Sequence, residues 1–285
     1  MIKLLAVDMD GTCLDRRSRM TDVTLGALRK AADRGIIIVP TTGRNLECIP
    51  HRLAEGTIFA TGALEEEKNR GLFRYVVSSN GACVTDIKER KELFCAPVPE
   101  KDTLPLLKEC GKLRLGIASH IRHRYLLQGR ALTMAGQLIY GKDARGVYCV
   151  RSMEEFIRRG GHEVEEFQFY FLSPRAKQEV RSVLERYPDL RAAYTGIYVE
   201  VYSKDASKGR AIAELARHLG IRKEEIACIG DGENDLSMFE AAGLKIAMGN
   251  AVEELKKQAD HVTASNACDG AAKAVEWILK RQLMR

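Results

Sequence analysis

Leu4-Leu5-Ala6-Val7-Asp8-Met9-Asp10-Gly11-Thr12 carries an unbroken apolar run straight into a pair of acids. Four apolar residues without polar alternation read as a strand buried on both faces, the habit of a parallel sheet. Asp8 and Asp10, two residues apart at a strand end, point the same way if the chain stays extended. They then repel unless a cation or a proton lies between them. Oxygen donors of this kind suit a hard cation such as Mg²⁺. Taken alone, Asp-x-Asp-Gly also reads as a solvated turn.

Outward from this strand the grammar repeats. Thr21 is placed as a helix N-cap, Val23, Leu25, Leu28 and Ala32 form a helical stripe, and Gly35 sits at a C-cap position. Ile36–Val39 and Tyr75–Ser78 read as further buried strands. Near the other end, Ser207 opens a helix with Ile212, Leu215, Ala216 and Leu219, stopped by Gly220. A strand at Ile226–Ile229, a helix to about Ala242, a strand at Lys245–Met248 and helices near Glu253–Ala259 and Gly270–Leu283 follow. From roughly Val84 to Tyr202 the pattern changes, and Tyr198-Val199-Glu200-Val201 alternates as a half-exposed antiparallel strand does. The expected fold class is therefore α/β: a Rossmann-like parallel-sheet core from residues 1–83 and 203–285, with an inserted α+β domain over 84–202.

Composition fits this layout. The chain has 285 residues, 45% of them apolar and 29% charged, enough for two domains. No apolar run approaches the roughly 20 residues of a membrane helix, and acid interrupts the N-terminal run too early for a signal peptide. Eight cysteines are scattered singly, without CxxC or Cys/His spacing, which points to reduced thiols and a cytoplasmic protein with no membrane partner. The net charge is +6, and Lys112, Arg114, Arg122, Arg124, Arg130, Lys142, Arg145 and Arg151 face only Asp143 between residues 111 and 153. With few aromatics and no nucleic-acid motif, this patch reads as a solvated face or as steering for a small phosphorylated molecule, and not as a nucleic-acid surface.

Ligands of open α/β sheets bind beyond the carboxyl ends of strands, and three further polar clusters fall at such places. Thr41-Thr42-Gly43-Arg44 offers hydroxyl, backbone N–H and guanidinium groups to phosphate oxygens. Lys208 stands in the first turn of a helix, the wrong end of the macrodipole for a cation unless an anion is held there too. Gly230-Asp231-Gly232-Glu233-Asn234-Asp235 makes a second anionic lobe. Together they supply charge neutralisation, positioning and a nucleophile, the needs of phosphoryl transfer.

With these motifs, and with Ser79-Asn80-Gly81-Ala82, Ala247-Met248-Gly249-Asn250-Ala251 and Asp269-Gly270 in order, the chain resembles the haloacid dehalogenase (HAD) superfamily, in particular Cof-type phosphatases with a large inserted cap of type IIB. The resemblance implies that Asp8 attacks phosphorus to form an aspartyl phosphate and that Asp10 acts as general acid and base. It implies Mg²⁺ held by the Asp8 carboxylate, the Asp10 carbonyl and Asp231. Thr42, Gly43, Lys208 and Asn234 would hold phosphate, although Thr41 stands beside Thr42. Asp235 would orient Lys208 or the metal shell, and Arg122 and Arg124 are candidate cap contacts to substrate. The expected function is hydrolysis of a small phosphorylated metabolite, a sugar phosphate or phosphorylated cofactor. A phosphomutase and a catalytically silent phosphate-binding regulator are the alternatives, and oligomeric state is not readable.

Overall fold

The computed structural model describes residues 1–15, 18–49, 72–140 and 146–283, so Lys142 and Arg145 of the basic stretch lie outside the described residues. The chain divides into two compact units: 1–43, 50–94 and 207–285 in the first, 44–49 and 95–206 in the second.

The first unit is built on an eight-stranded sheet. Its strands are β1 (Leu4–Asp8), β2 (Ile37–Thr41), β3 (Tyr75–Ser78), β4 (Cys83–Asp86), β5 (Lys91–Cys95), β12 (Ile226–Gly230), β13 (Leu244–Ala247) and β14 (His261–Val262), in the order β14-β13-β12-β1-β2-β3-β4-β5. Pairing is parallel from β14 to β3 and turns antiparallel at β4. Every residue of β1 is buried, as an unalternating apolar strand requires. Fully burying Leu4, Leu5 or Val7 is worth about 1.5–3 kcal/mol each. β4 and β5, which the sequence reading grouped with the insertion, hydrogen-bond into this sheet, and the compact unit runs on to Phe94. Their physical tie is the β3–β4 hairpin register, Val76 against Thr85 and Val77 against Val84.

The helices of this unit follow their caps. In α1 (Asp22–Asp33) the Thr21 hydroxyl accepts from the Thr24 N–H at 3.1 Å. A later helix, α6 (Lys208–Leu219), starts on Ser207, whose hydroxyl accepts from Arg210 N–H, and ends on left-handed Gly220. α7 (Leu236–Ala241), α8 (Glu253–Gln258) and α9 (Gly270–Leu283) complete the unit, and α1 packs on α9 while α6 packs on α7.

The second unit carries a six-stranded sheet of β6 (Leu115–Ile121), β7 (Arg124–Gln128), β8 (Val147–Val150), β9 (Glu166–Phe171), β10 (Leu190–Tyr194) and β11 (Tyr198–Ser203). Its order is β10-β11-β9-β6-β7-β8, antiparallel except for the β7–β8 pair. Alternation along β11 sends Val199 and Val201 into an apolar core with Phe167 and Phe169, as the period of two predicts. Helices α2 (Glu100–Cys110), α4 (Met153–Gly160) and α5 (Ala176–Leu184) contribute Leu106, Ile157 and Val180 to the same core, and α3 (Arg130–Tyr140) packs on β7 and β8. Among the described residues no helix is long and apolar enough to cross a membrane.

Candidate active site

The carboxyl ends of adjacent strands bring the sequence clusters together. Asp8 closes β1, Thr42 follows β2, Ser79 follows β3 and Asp231 follows β12. Lys208, at the start of α6, is buried and reaches both lobes: its Nζ donates to Asp8 Oδ1 at 2.6 Å and to Asp235 Oδ1 at 2.7 Å. The lysine's unfavourable place at a helix N-terminus is thus offset by two carboxylates. The other oxygen of Asp235 accepts from the N–H groups of Asp231 at 2.9 Å and Gly232 at 3.0 Å, so this side chain fixes the turn and the lysine together.

Asp8, Asp231 and Asp235 present carboxylate oxygens that all lie within 4.8 Å of one another. Oδ2 of Asp8 is buried and without a hydrogen-bond partner among the described residues. Burial, then the neighbouring Asp235, pushes the Asp8 carboxyl well above the usual range against the pull of Lys208. Burial and Asp235 likewise raise Asp231 to about 6. Burial opposes charge on Lys208 as well, but Asp235 and Asp8 outweigh it and the ammonium is held. The site is therefore short of positive charge. The carboxylate oxygens of Asp8, Asp231 and Asp235 form a cluster that would suit a hard divalent cation, and an all-oxygen donor set fits Mg²⁺.

Asp231 is aimed by neutral donors. Thr12 Oγ1 donates to its Oδ1 at 3.0 Å, and Asn250 Nδ2 donates to its Oδ2 at 3.1 Å and to the Gly11 carbonyl at 2.9 Å. Asn250 is itself oriented by the Asn266 N–H on its Oδ1 at 2.8 Å. Gly11 has φ +86°, and a Cβ there would sit 2.2 Å from Asp231 Oδ2, so close approach of the two lobes demands glycine. Asp10, one residue before this turn, is exposed. The sequence reading gave no role to Thr12 or Asn250. Each follows a strand end in a quoted motif, and that placement was the available signal.

On the other side, Thr41 and Thr42 differ in use. Thr41 Oγ1 turns back onto the Val39 carbonyl at 3.2 Å. The Thr42 backbone is clasped instead, its N–H on Val77 O at 2.9 Å and its carbonyl receiving the Asn80 N–H at 3.1 Å. Asn234 Nδ2 donates to Asn80 Oδ1 at 3.2 Å.

The second unit holds Arg122 and Arg124. Arg122 and His123 form the β6–β7 turn with φ of 51° and 64°, the left-handed pair a two-residue hairpin needs. Arg122 is exposed. Arg124 lies over the Tyr148 ring at 5.0 Å, with Glu47 at 3.7 Å, and is thereby tied within its own unit. Asp269 accepts from the Thr21 hydroxyl at 2.6 Å, tying α1 to the start of α9.

A buried carboxylate gripped by lysine at a parallel-strand end, facing a second acidic lobe on the next strand, defines an α/β enzyme of phosphate chemistry. The chain belongs to the haloacid dehalogenase-like hydrolase family, whose sequence model matches residues 5–275. It is 28% identical to the 5-amino-6-(5-phospho-D-ribitylamino)uracil phosphatase YcsE of Bacillus subtilis strain 168 over 98% of this chain and 96% of that one. It is 30% identical to phosphatase YwpJ of the same organism over 98% of this chain and 100% of that one. Among solved structures it resembles the HAD subclass IIB sugar phosphatase BT4131, with a TM-score of 0.75 and 26% identity, covering 97% of this chain and 98% of the other. The expectation of a HAD-type phosphatase of the Cof kind, with a parallel-sheet core and an α+β insertion, is borne out.

Proposed function

We propose that this enzyme is a Mg²⁺-dependent phosphatase of small phosphorylated metabolites that works through an aspartyl phosphate on Asp8. The observation that carries the reading is the Asp8 carboxylate: Oδ1 is held by Lys208, and Oδ2 is buried without a hydrogen-bond partner among the described residues, facing the acidic lobe of Asp231 and Asp235. Asp8 and Asp231, with the Asp10 backbone carbonyl, would hold the metal, which when bound lowers the cost of an ionised Asp8 and neutralises phosphoryl charge.

In the first step an Asp8 oxygen forms a bond to phosphorus while the ester P–O bond breaks. Asp10, exposed beside the site, gives its proton to the departing alkoxide. Water then attacks the phosphorus, Asp10 takes its proton, and the bond to Asp8 breaks, releasing inorganic phosphate and restoring both acids. Lys208 stays charged throughout and screens the transferring oxygens, with Thr42, Gly43 and Asn234 as further donors. Asp235 acts through Lys208 and through the 231–232 backbone.

The relatives are named for a phosphoribitylamino-uracil and for sugars, so a polyhydroxylated phosphomonoester is the substrate class. Arg122 remains the candidate contact in the inserted unit, which serves as the specificity cap, and Arg124 shapes its hairpin. The cysteines are placed singly along the sequence, without CxxC spacing, which supports a reducing cytoplasm as the proposed location.

Phosphate release from a panel of sugar, nucleotide and cofactor monoesters tests this. The expected result is hydrolysis with Mg²⁺, highest kcat/KM on polyhydroxylated substrates, and loss on chelation. Isomer interconversion without free phosphate would instead mark a mutase, and silence across the panel a non-catalytic binder.

A second expectation concerns Asp231. Its folded-state pKa of about 6 exceeds that of a free carboxyl, so its ionised form opposes folding when no metal is bound. Asp231→Asn should raise the metal-free Tm at pH 7 and erase the Tm rise that Mg²⁺ gives the wild type. A variant that melts lower without metal, yet still gains from Mg²⁺, contradicts this.

A further inference from the structure

Three successive residues after β3 have left-handed backbone: Ser79 at φ 50°, Asn80 at φ 54° and Gly81 at φ 91°. Glycine adopts this freely, but the other two are held in a strained backbone conformation. Asn tolerates it best among side chains with a Cβ. All three residues are buried. A strained, buried turn persists only where its surroundings over-determine it, and its neighbours here include groups assigned above to phosphate.

Asn80 meets three of them. Its N–H donates to Thr42 O at 3.1 Å, and its Oδ1 accepts from Asn234 Nδ2 at 3.2 Å. Its amide lies against Gly43, where a Cβ would come within 3.1 Å of Oδ1. One residue on, a Cβ at Gly81 would fall 2.2 Å from the Ser207 carbonyl, directly before Lys208. The same turn thus abuts the Thr42–Gly43 loop, Asn234 and the N-terminus of α6.

We propose that Asn80 is a positioning residue of the phosphate site: its side-chain amide sets the Thr42–Gly43 loop against Asn234. This rests on the assignment of those groups to phosphate. Asn80 contacts the groups that would hold phosphate and acts through them. The left-handed backbone at residues 79 and 80 turns the amide inward, and its packed surroundings hold it there.

Asn80→Gly separates the amide from the backbone, because glycine accepts φ 54° while removing the side chain. The expected variant melts at or above the wild-type temperature and binds Mg²⁺ within about twofold of wild type. Its KM and its inhibition constant for inorganic phosphate rise about tenfold, a loss of roughly 1.4 kcal/mol in phosphate binding. Combined with Asn234→Ala, the two changes give less than the product of their separate effects, as coupled residues do. Wild-type phosphate affinity in a folded Asn80→Gly protein, or strictly multiplicative effects in the double variant, overturns the proposal. Should Asn80→Gly fail to fold, Asn80→Ser keeps a shorter acceptor and should weaken phosphate about threefold; unchanged affinity there also overturns it. Asp8→Asn distinguishes this from failure of the underlying reading. If that variant still turns over, the phosphate-site assignment itself is wrong. If it is inactive while Asn80→Gly binds phosphate normally, only the positioning role is lost.

Discussion

Asp8→Asn yields a folded protein whose kcat falls by about ten-thousandfold or more, the scale of losing a nucleophile from a covalent mechanism. The amide has the shape of the carboxylate, so its Oδ1 still accepts from Lys208, and Lys208 still pairs with Asp235 at 2.7 Å. What disappears is the charged, unpartnered Oδ2. An amide oxygen is too weakly nucleophilic to displace an alcohol from phosphorus. Replacing that oxygen with N–H donors removes a buried like-charge contact with Asp231 and Asp235, which now burdens the metal-free fold. The variant should therefore melt no lower than wild type without metal. Steady-state phosphate release and a thermal melt on one preparation decide the matter. Turnover within about tenfold of wild type would remove Asp8 from the nucleophile's role.

This pairing of a stable fold with a dead site was only half legible in the sequence. The run Leu4–Val7 announced a doubly buried strand, and the acids after it announced a cation site, because burial and repulsion follow from residue type and spacing. Thr21, Ser207 and Gly220 marked helix ends for equally local reasons, and each caps where expected. The partners that aim the acids were not legible, because they come from distant strands. Thr12 meets Asp231, 219 residues away, only once β12 lies beside β1, and Asn250 meets it only once β13 lies beside β12; no local pattern marks either hydrogen bond. The difference between Thr41 and Thr42 was likewise not legible: only the folded strand end shows the Thr41 hydroxyl donating to the Val39 carbonyl. The sequence boundary after residue 83 failed to see β4 and β5 for a related reason. Cys83–Asp86 is buried throughout and Lys91–Cys95 grades from exposed to half-buried, so neither carries a periodicity that assigns it to one sheet or the other.

Lys208→Met tests the other half of the site and should be the most damaging change to stability. The lysine is buried between two buried carboxylates, at 2.6 and 2.7 Å. Methionine roughly preserves the volume but leaves Asp8 and Asp235 uncompensated, and breaking a buried pair in this way costs about 3–5 kcal/mol. Activity falls too, since the donor facing the transferring oxygens is gone. The pH dependence carries the diagnosis. Asp8 and Asp231 already have folded-state pKa values above those of free carboxyls, the latter near 6. The native state therefore binds protons that the unfolded chain has released. Stability held below the unfolded pKa is lost as pH rises through the folded one. Metal-free wild type should thus weaken between about pH 4 and pH 6 through Asp231. In Lys208→Met the raised carboxyls lose their opposing cation, so the decline steepens and extends to higher pH. Acidification and saturating Mg²⁺ should each recover part of the deficit, one by neutralising the acids and the other by pairing with them. Urea midpoints for the core unit at pH 5 and pH 7.5, with and without Mg²⁺, measure all of this. A deficit that stays the same at both pH values would mean that Lys208 serves packing and not charge, and the electrostatic account of the site would fall with it.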